Sequence, residues 1–432
     1  MNISLRSMEL NDIFTPNGQP TATYVARSDG HLEKKLQQYS QTKNIVVSLS
    51  GPSKTGKTVL IRKVLDLNNA ILIPGASIQT TNDFYGSAFE WLDIQTPTGE
   101  TVSYAEGSQA KIGATVKVDA PYLGGANFSG EIGGSGSINK STTSAISNNP
   151  FKKLVESATK RNSIIFIDDF HYIPTQTQIE LARIIKALAE NGVRIFTASV
   201  PHRAEDVVRA NPELRGRFAG IDTMIWQLDE LEKIAILGFE ALNVSIDPSI
   251  AEKLAVFAHG SPQIMHTLCL NLCHELGIQK NSTLRRKVNI SNENIKNMLA
   301  ATADFTNSSK LIETLHAGPK VKGQPRMQYS FTDNTKGDVY RAILLGISKD
   351  PVQVVFSYDE IINRVKNICK NEYPTGQSIS QSLTHLHKIV NTQNSHQSYF
   401  EWDDDNLYIT DPHLAFYLRY SSKIENLGTK IR

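Results

Sequence analysis

Cysteine is scarce. Three residues in a chain of 432, Cys269, Cys273 and Cys369, are too few for a disulfide framework and fit a reducing compartment. Long apolar runs are missing as well: none approaches the roughly 20 residues that cross a bilayer, and "MNISLRSMEL" at the N-terminus lacks the apolar segment of a secretion signal. The expectation is a cytoplasmic protein with no membrane partner. Charge of one sign is absent too, since 45 Lys and Arg face 43 Asp and Glu. A formal charge of +2 gives no bulk pull towards nucleic acid or anionic lipid, so any such contact has to be local. Metal-site clusters are equally thin. "HTLCLNLCHE" sets Cys269 and Cys273 four apart with His266 and His274 nearby, but no second ligand cluster follows, and the expected role is that of small core residues on an apolar helix face. The chain is long for one domain, and its 40% apolar content can fill two or three cores.

What is present is a phosphate loop. "GPSKTGKT", residues 51–58, fits G-x-x-x-x-G-K-[ST] in full, with an apolar strand at 45–49 before it and a periodic helix after it. Gly51 and Gly56 let backbone N–H groups turn inward around phosphates, at the positive end of the following helix. Pro52, Ser53, Lys54 and Thr55 complete the loop, and Val59 continues the helix. Lys57 brings a point charge to the β and γ phosphates, and the Thr58 hydroxyl suits Mg²⁺. The expected cofactors are therefore ATP or ADP and Mg²⁺.

A second site must hold the metal and prepare water. "SIIFIDDF", 163–170, reads as a buried parallel strand ending in two carboxylates. Asp168 is assigned to the metal, and Asp169 to orienting or deprotonating the attacking water. The next strand, 193–199, follows the helical "TQIELARIIKALAENG" and ends in Thr197 and Ser199. Either hydroxyl could sense a γ-phosphate or simply close a turn. Repeated strand and helix units predict an α/β fold built on a parallel sheet.

The order phosphate loop, "IIFIDD", "IFTASVPHR", "NPELRGRF", "WQLDELEKIAILGF" and "AHGSPQIMHTL" resembles AAA+ ATPases, and among them the STAND and origin-recognition-like branch, over roughly residues 20–300. The resemblance implies an ATPase that oligomerises. It also implies an arginine finger at Arg217 in "RGRF", with Arg215 and Arg203 as less favoured substitutes; a guanidinium suits a transferring phosphoryl group. "GSPQ" is similar to the Gly-x-Pro lid of STAND proteins, which carries Pro262 to the nucleotide. "TYVARSDGHLEKKLQQY" resembles the adenine-side segment, with Tyr24 to Arg27 leading into a helix capped near Ser28. Two departures stand out: the lid helix has no arginine for a second sensor, leaving His266 as the nearby polar candidate, and Asp169 replaces the usual Glu. Both imply slow hydrolysis and a switch rather than a motor.

About fifty residues between "NDFYGSAFEWLDI" and "NPFKKLVESATK" fit no core element and read as β-hairpins or a Gly/Ser-rich decoration. After a polar joint come helices at 339–348, 358–370 and 378–390, strands around "SYFEWDDDNLYIT" and a last helix, the order of a winged helix. Its third helix offers Gln377, Gln381, His385 and Lys388 to DNA, against an acidic wing of Asp403, Asp404 and Asp405. "NLYITDPHLAFYLRY" also resembles the closing segment of STAND-type ATPases. The expected organisation is an ATPase core over 1–227 with an insertion at about 97–147, a helical lid over 228–303, a linker over 304–335 and a winged-helix-like domain over 336–432. By family analogy the expectation is a nucleotide switch acting on an effector partner in prokaryotic, anti-phage (antiviral) defence signalling. The alternatives are a DNA-bound initiator or transposition-type regulator, and a nucleotide-locked scaffold with little turnover.

Overall fold

The computed structural model describes residues 7–65, 70–94, 149–200, 203–223, 225–305, 308–320, 323–393 and 399–430; the expected insertion lies outside the described residues. Five apolar runs make the central sheet: β1 (Val46–Ser50), β2 (Ala70–Pro74), β3 (Ile164–Asp168), β4 (Arg194–Ser199) and β5 (Phe218–Asp222). All pair in parallel, in the order β2-β3-β4-β1-β5. Strands covered on both faces must be apolar on both, which is why the inner ones read as continuous Val/Ile/Leu/Phe segments. One face (Ile71, Ile165, Ile167, Ile195) packs on α4 (Thr81–Trp91), α5 (Pro150–Lys160), α6 (Thr175–Glu190) and the short α7 (Asp206–Ala210). The other (Val47, Leu49, Phe166, Phe196) packs on α2 (His31–Gln41) and α3 (Lys57–Val64).

The N-terminal residues pack away from the sheet. Leu10 and Ile13 of α1 (Leu10–Ile13), with Phe14 and Val25, join the core of the lid and not that of the sheet, and Leu10 N–H donates to Gln279 O at 2.8 Å. The lid itself is α8 (Leu228–Ala241), α9 (Pro248–Phe257), α10 (Pro262–Glu275) and α11 (Asn292–Asp304), with a two-stranded pair of β6 (Val244–Ser245) and β7 (Arg286–Lys287). Cys269 and Cys273 are buried in α10 within the lid core, and burial pushes both thiols up.

The stretch expected as a linker holds α12 (Ser309–Ala317), which buries Ile312 and Leu315. Beyond it come β8 (Tyr329–Ser330), β9 (Thr335–Gly337), α13 (Val339–Ile347), β10 (Val355–Ser357), α14 (Tyr358–Ile368), α15 (Gly376–Gln393), β11 (Glu401–Asp403), β12 (Asn406–Tyr408), α16 (Pro412–Tyr420), α17 (Lys423–Asn426) and β13 (Thr429–Lys430). Two three-stranded sheets result, β10-β12-β11 and β13-β9-β8. α13 is buried along its whole length, and its Arg341 is fully buried. The C-terminal core is continuous with that of the lid, so lid and C-terminal elements form one apolar body beside the sheet. No helix among the described residues is long and apolar enough to cross a membrane.

Candidate nucleotide site

The loop between β1 and α3 opens where β1 lies between β4 and β5, a crevice at the carboxyl ends of parallel strands where such sheets take their ligands. Gly51 has no room for a side chain: a Cβ there would stand 2.0 Å from Thr223 Oγ1. Thr223 in turn donates from N and Oγ1 to Ser50 O, at 2.7 and 2.9 Å. The backbone thus hugs the end of β5, leaving its concave side for a ligand. Gly56 (φ 90°) precedes α3 and turns the chain so that the first N–H groups of that helix face the loop.

Lys57 is only 6% exposed, and its Nζ donates to the carbonyls of Gly51 and Pro52, both at 2.9 Å. Burial lowers its pKa, while Asp169 and Asp168 oppose the shift. Thr58 Oγ1 donates to Asp168 Oδ2 at 2.6 Å, across the intervening strand β4. The two oxygens expected to serve a metal are therefore side by side. Among the described residues no group of three or more His, Cys, Asp or Glu could hold a metal ion. A site of one hydroxyl and one carboxylate fits Mg²⁺, which keeps waters and takes phosphate oxygens for the rest of its shell.

Asp169 follows in a left-handed conformation (φ 53°). Its backbone is pressed against Gly75 at the end of β2, where a Cβ would lie 2.4 Å from Asp169 O. Burial, then the neighbouring Asp168 charge, raises the Asp169 carboxyl to about 6, with Lys57 opposing. That is a range in which a carboxylate can exchange protons near neutrality.

A cavity of about 460 Å³ joins these groups. Its floor is the loop from Ser53 to Val59 with Asp168 and Asp169; its roof is the N-terminal arch 15–20 and the start of α10. Pro262, the first residue of α10, lines it, and so do His266 and Gln263. The lid is fixed to the loop by Trp226, whose Nε1–H donates to Thr55 O at 2.9 Å.

Several expected residues sit differently. Arg27 borders the cavity, but its guanidinium is held by Glu230 at 3.2 Å and Thr223 O at 2.6 Å and lies over the Trp226 ring, so it braces the sheet-to-lid connection rather than facing a base. Tyr24 also lines the cavity, with its hydroxyl donating to Glu33 at 2.7 Å. The expected helix cap near Ser28 gives way to a 3₁₀ turn, Arg27–Gly30, with α2 starting after Gly30 (φ 81°). Thr197 and Ser199 are buried at the end of β4 and do not line the cavity; the Thr197 hydroxyl has no hydrogen-bond partner among the described residues. Arg217 lies outside the cavity as well, 38% exposed and 3.4 Å from Glu190.

Two residues that sequence reasoning missed come from the far end of the chain. Asp411 Oδ2 meets Lys54 Nζ of the phosphate loop at 2.9 Å, and His413 Nε2–H donates to Gln263 Oε1 of the lid at 3.1 Å. Asp411 also caps α16 by accepting from His413 N–H at 2.9 Å. In sequence, "DPH" shows the cap and a proline at the first helical position, and nothing local records where that helix end docks.

No protein-family model matches the sequence, and no curated protein matches it. Solved structures do. A Walker-type ATPase of Pyrococcus abyssi is 12% identical, with a TM-score of 0.50 over 92% of this chain and 99% of that one. The ORC2 protein of Aeropyrum pernix in its ADP form is 12% identical, with a TM-score of 0.47 over 96% and 98%. The Aeropyrum pernix ORC1 protein in complex with DNA is 14% identical, with a TM-score of 0.45 over 98% and 99%. With its parallel sheet of order β2-β3-β4-β1-β5 and its phosphate loop after β1, this chain has the α/β fold of the Walker-type P-loop ATPases.

Proposed function

We propose that the protein is a slow cytoplasmic ATPase of the AAA+ or STAND kind, working as a molecular switch that its C-terminal domain reads and passes to an effector. The observation that carries this reading is the shared cavity: Lys57, the Thr58–Asp168 pair, Asp169 and the lid face one space, and the C-terminal Asp411 and His413 reach its wall. Phosphates belong at the N-terminus of α3, held by the loop N–H groups and Lys57. Thr58 and Asp168 would hold Mg²⁺, which would offset phosphate charge. Asp169 would accept the proton of the attacking water. An aspartate in place of glutamate supports slow turnover, because its shorter side chain sets the carboxylate back from the reacting centre.

The C-terminal contact makes the switch testable. Asp411→Asn keeps an equally good helix cap and removes the charge that pairs with Lys54. With the C-terminal anchor released, bound nucleotide should leave several times faster, followed by the release of a fluorescent ADP analogue. An unchanged release rate would remove the C-terminal domain from the switch.

Arg217 stands half exposed beyond the cavity, so a role in hydrolysis requires a neighbouring copy of the chain. Arg217→Ala should then cut turnover by about 10³-fold with ATP affinity kept. Mixing it with Asp169→Asn should restore activity at the mixed interfaces, and failure to complement would mean a site complete in one chain. The resemblance of "GSPQ" and "NLYITDPHLAFYLRY" to STAND ATPases supports a role in prokaryotic anti-phage defence.

A second reading, a DNA-bound initiator, has one observation in its favour: Gln377, Gln381, His385 and Lys388 share the exposed face of α15. Against it, Asp403, Asp404 and Asp405 occupy the hairpin that would flank the DNA. Arg326 of the preceding segment is held by Asp338 at 2.6 Å and lies over the Tyr340 ring. A tight, salt-steep duplex complex of the isolated protein would overturn the signalling reading and favour the initiator.

A further inference from the structure

We infer that His266 reads the nucleoside half of the bound nucleotide by donating its Nε2–H to an acceptor there, an inference that rests on the nucleotide site proposed above. His266 sits on α10 one turn beyond Pro262, is 5% exposed, and lines the cavity that also receives Lys57 and Thr58. Its Nδ1 accepts the backbone N–H of Thr15 at 3.0 Å. That bond settles the tautomer, because a ring nitrogen that accepts carries no proton, and the proton of the neutral ring is then on Nε2. Burial drives the pKa of the ring down to about 4, so it is neutral at physiological pH. The Phe14 ring stands edge-on to the imidazole at 6.2 Å between centroids. Among the described residues nothing accepts from Nε2, so that N–H is available to a ligand in the cavity that the residue lines. A polar donor on the wall of a mostly formed pocket is the usual means of fixing a ligand's orientation.

The position of the ring along the cavity names the half of the ligand it meets. Phosphates belong at the N-terminus of α3, where the loop touches the lid through Trp226 and Thr55. His266 is anchored instead to the arch at Thr15, and the wall on that side continues through Thr23, Val25 and the buried Ile234. That end suits a base and ribose, and a neutral donor there adds an oriented contact without attracting the phosphates.

Two substitutions separate this role from simple support of the arch. In His266→Asn the amide oxygen can take the place of Nδ1 and keep Thr15, but the distal donor is lost. In His266→Gln the amide N–H₂ reaches the place of Nε2, but the acceptor for Thr15 is lost. Equilibrium binding of ATP, ADP and inorganic pyrophosphate is compared for the two variants and the parent. His266→Asn should bind ATP and ADP about tenfold more weakly, the loss of one hydrogen bond. His266→Gln should stay within about threefold of the parent, and pyrophosphate should bind all three alike. The inference is overturned if Asn is the benign change and Gln the damaging one, if the two are equal, or if pyrophosphate binding falls in parallel with ATP. Should the parent bind pyrophosphate but show no gain from the nucleoside, this inference falls and the phosphate site stands; should it bind neither, the nucleotide reading falls and this one with it.

Discussion

Lys57→Ala should abolish measurable ATP binding, whereas Asp169→Asn should bind ATP like the parent and lose turnover by about 10²–10⁴-fold. The two side chains act on different terms of the same reaction. The Lys57 ammonium lies buried beneath the loop, between the carbonyls of Gly51 and Pro52, within reach of phosphates placed in the concavity. Its removal takes away charge-assisted hydrogen bonds worth about 1.5–3 kcal/mol each, so the loss falls on affinity. Asp169→Asn changes neither volume nor the left-handed backbone at φ 53°, a conformation that asparagine also tolerates. What disappears is a carboxylate that can accept a proton, and that term enters only when water attacks. Titration calorimetry with ATP and a phosphate-release assay read the two quantities separately. Equal loss of binding in both variants would sink the division of roles.

These two residues were legible because local sequence dictates them. A phosphate loop must be glycine-rich and must follow a strand, and β3 must be apolar on both faces before it ends in carboxylates. Thr197 and Ser199, open in the sequence between sensing a phosphate and closing a turn, stand off the cavity wall for an equally local reason. They share a face of β4 with Ile195, whose side chain packs on the α6 side of the sheet, so the pleat points them to that side, and neither lines the cavity. β5, "FAGID", was not recognised as a strand: it is an edge strand with a central glycine and little apolar run. The crossing of α1 to the lid left no trace in the sequence either, since four residues carry no readable period and the acceptor of Leu10 N–H is as remote as Gln279. The same holds for Asp411 and His413. Their place beside Lys54 and Gln263 is a property of how α16 docks, and a hydrogen bond between positions 54 and 411 has no local signature. Arg27 shows the converse. Its segment lines the cavity, but the partner that captures its charge, Glu230, stands 203 positions on.

Arg341 was not singled out in the sequence at all, and its replacement by alanine should cost the folded state about 3–5 kcal/mol, as breaking a buried ion pair by removal of one partner does. The side chain is fully buried, and each of its three nitrogens donates: Nε to Thr335 Oγ1 at 3.2 Å, Nη1 to Ile424 O at 2.7 Å, and Nη2 to Asp333 Oδ2 at 3.0 Å and Thr335 Oγ1 at 2.8 Å. It therefore ties α13 to the turn before β9 and to α17, holding the closing segment of the chain against the domain. Alanine leaves a cavity where the guanidinium was and takes the Arg341 donors from Asp333 Oδ2, Thr335 Oγ1 and the Ile424 carbonyl. Arg341→Lys keeps the charge, but a single ammonium cannot span acceptors on both sides of α13, so it should recover less than half of the loss. Urea unfolding followed by circular dichroism gives the free energies, and a change below about 1 kcal/mol for alanine would show that water replaces these bonds at little cost. Because Arg341 lies outside the nucleotide cavity, ATP affinity measured well below the unfolding midpoint should be unchanged in Arg341→Lys. A fall in that affinity would instead reveal that the C-terminal core sets the position of Asp411 against Lys54, carrying strain from α13 through α16 to the phosphate loop.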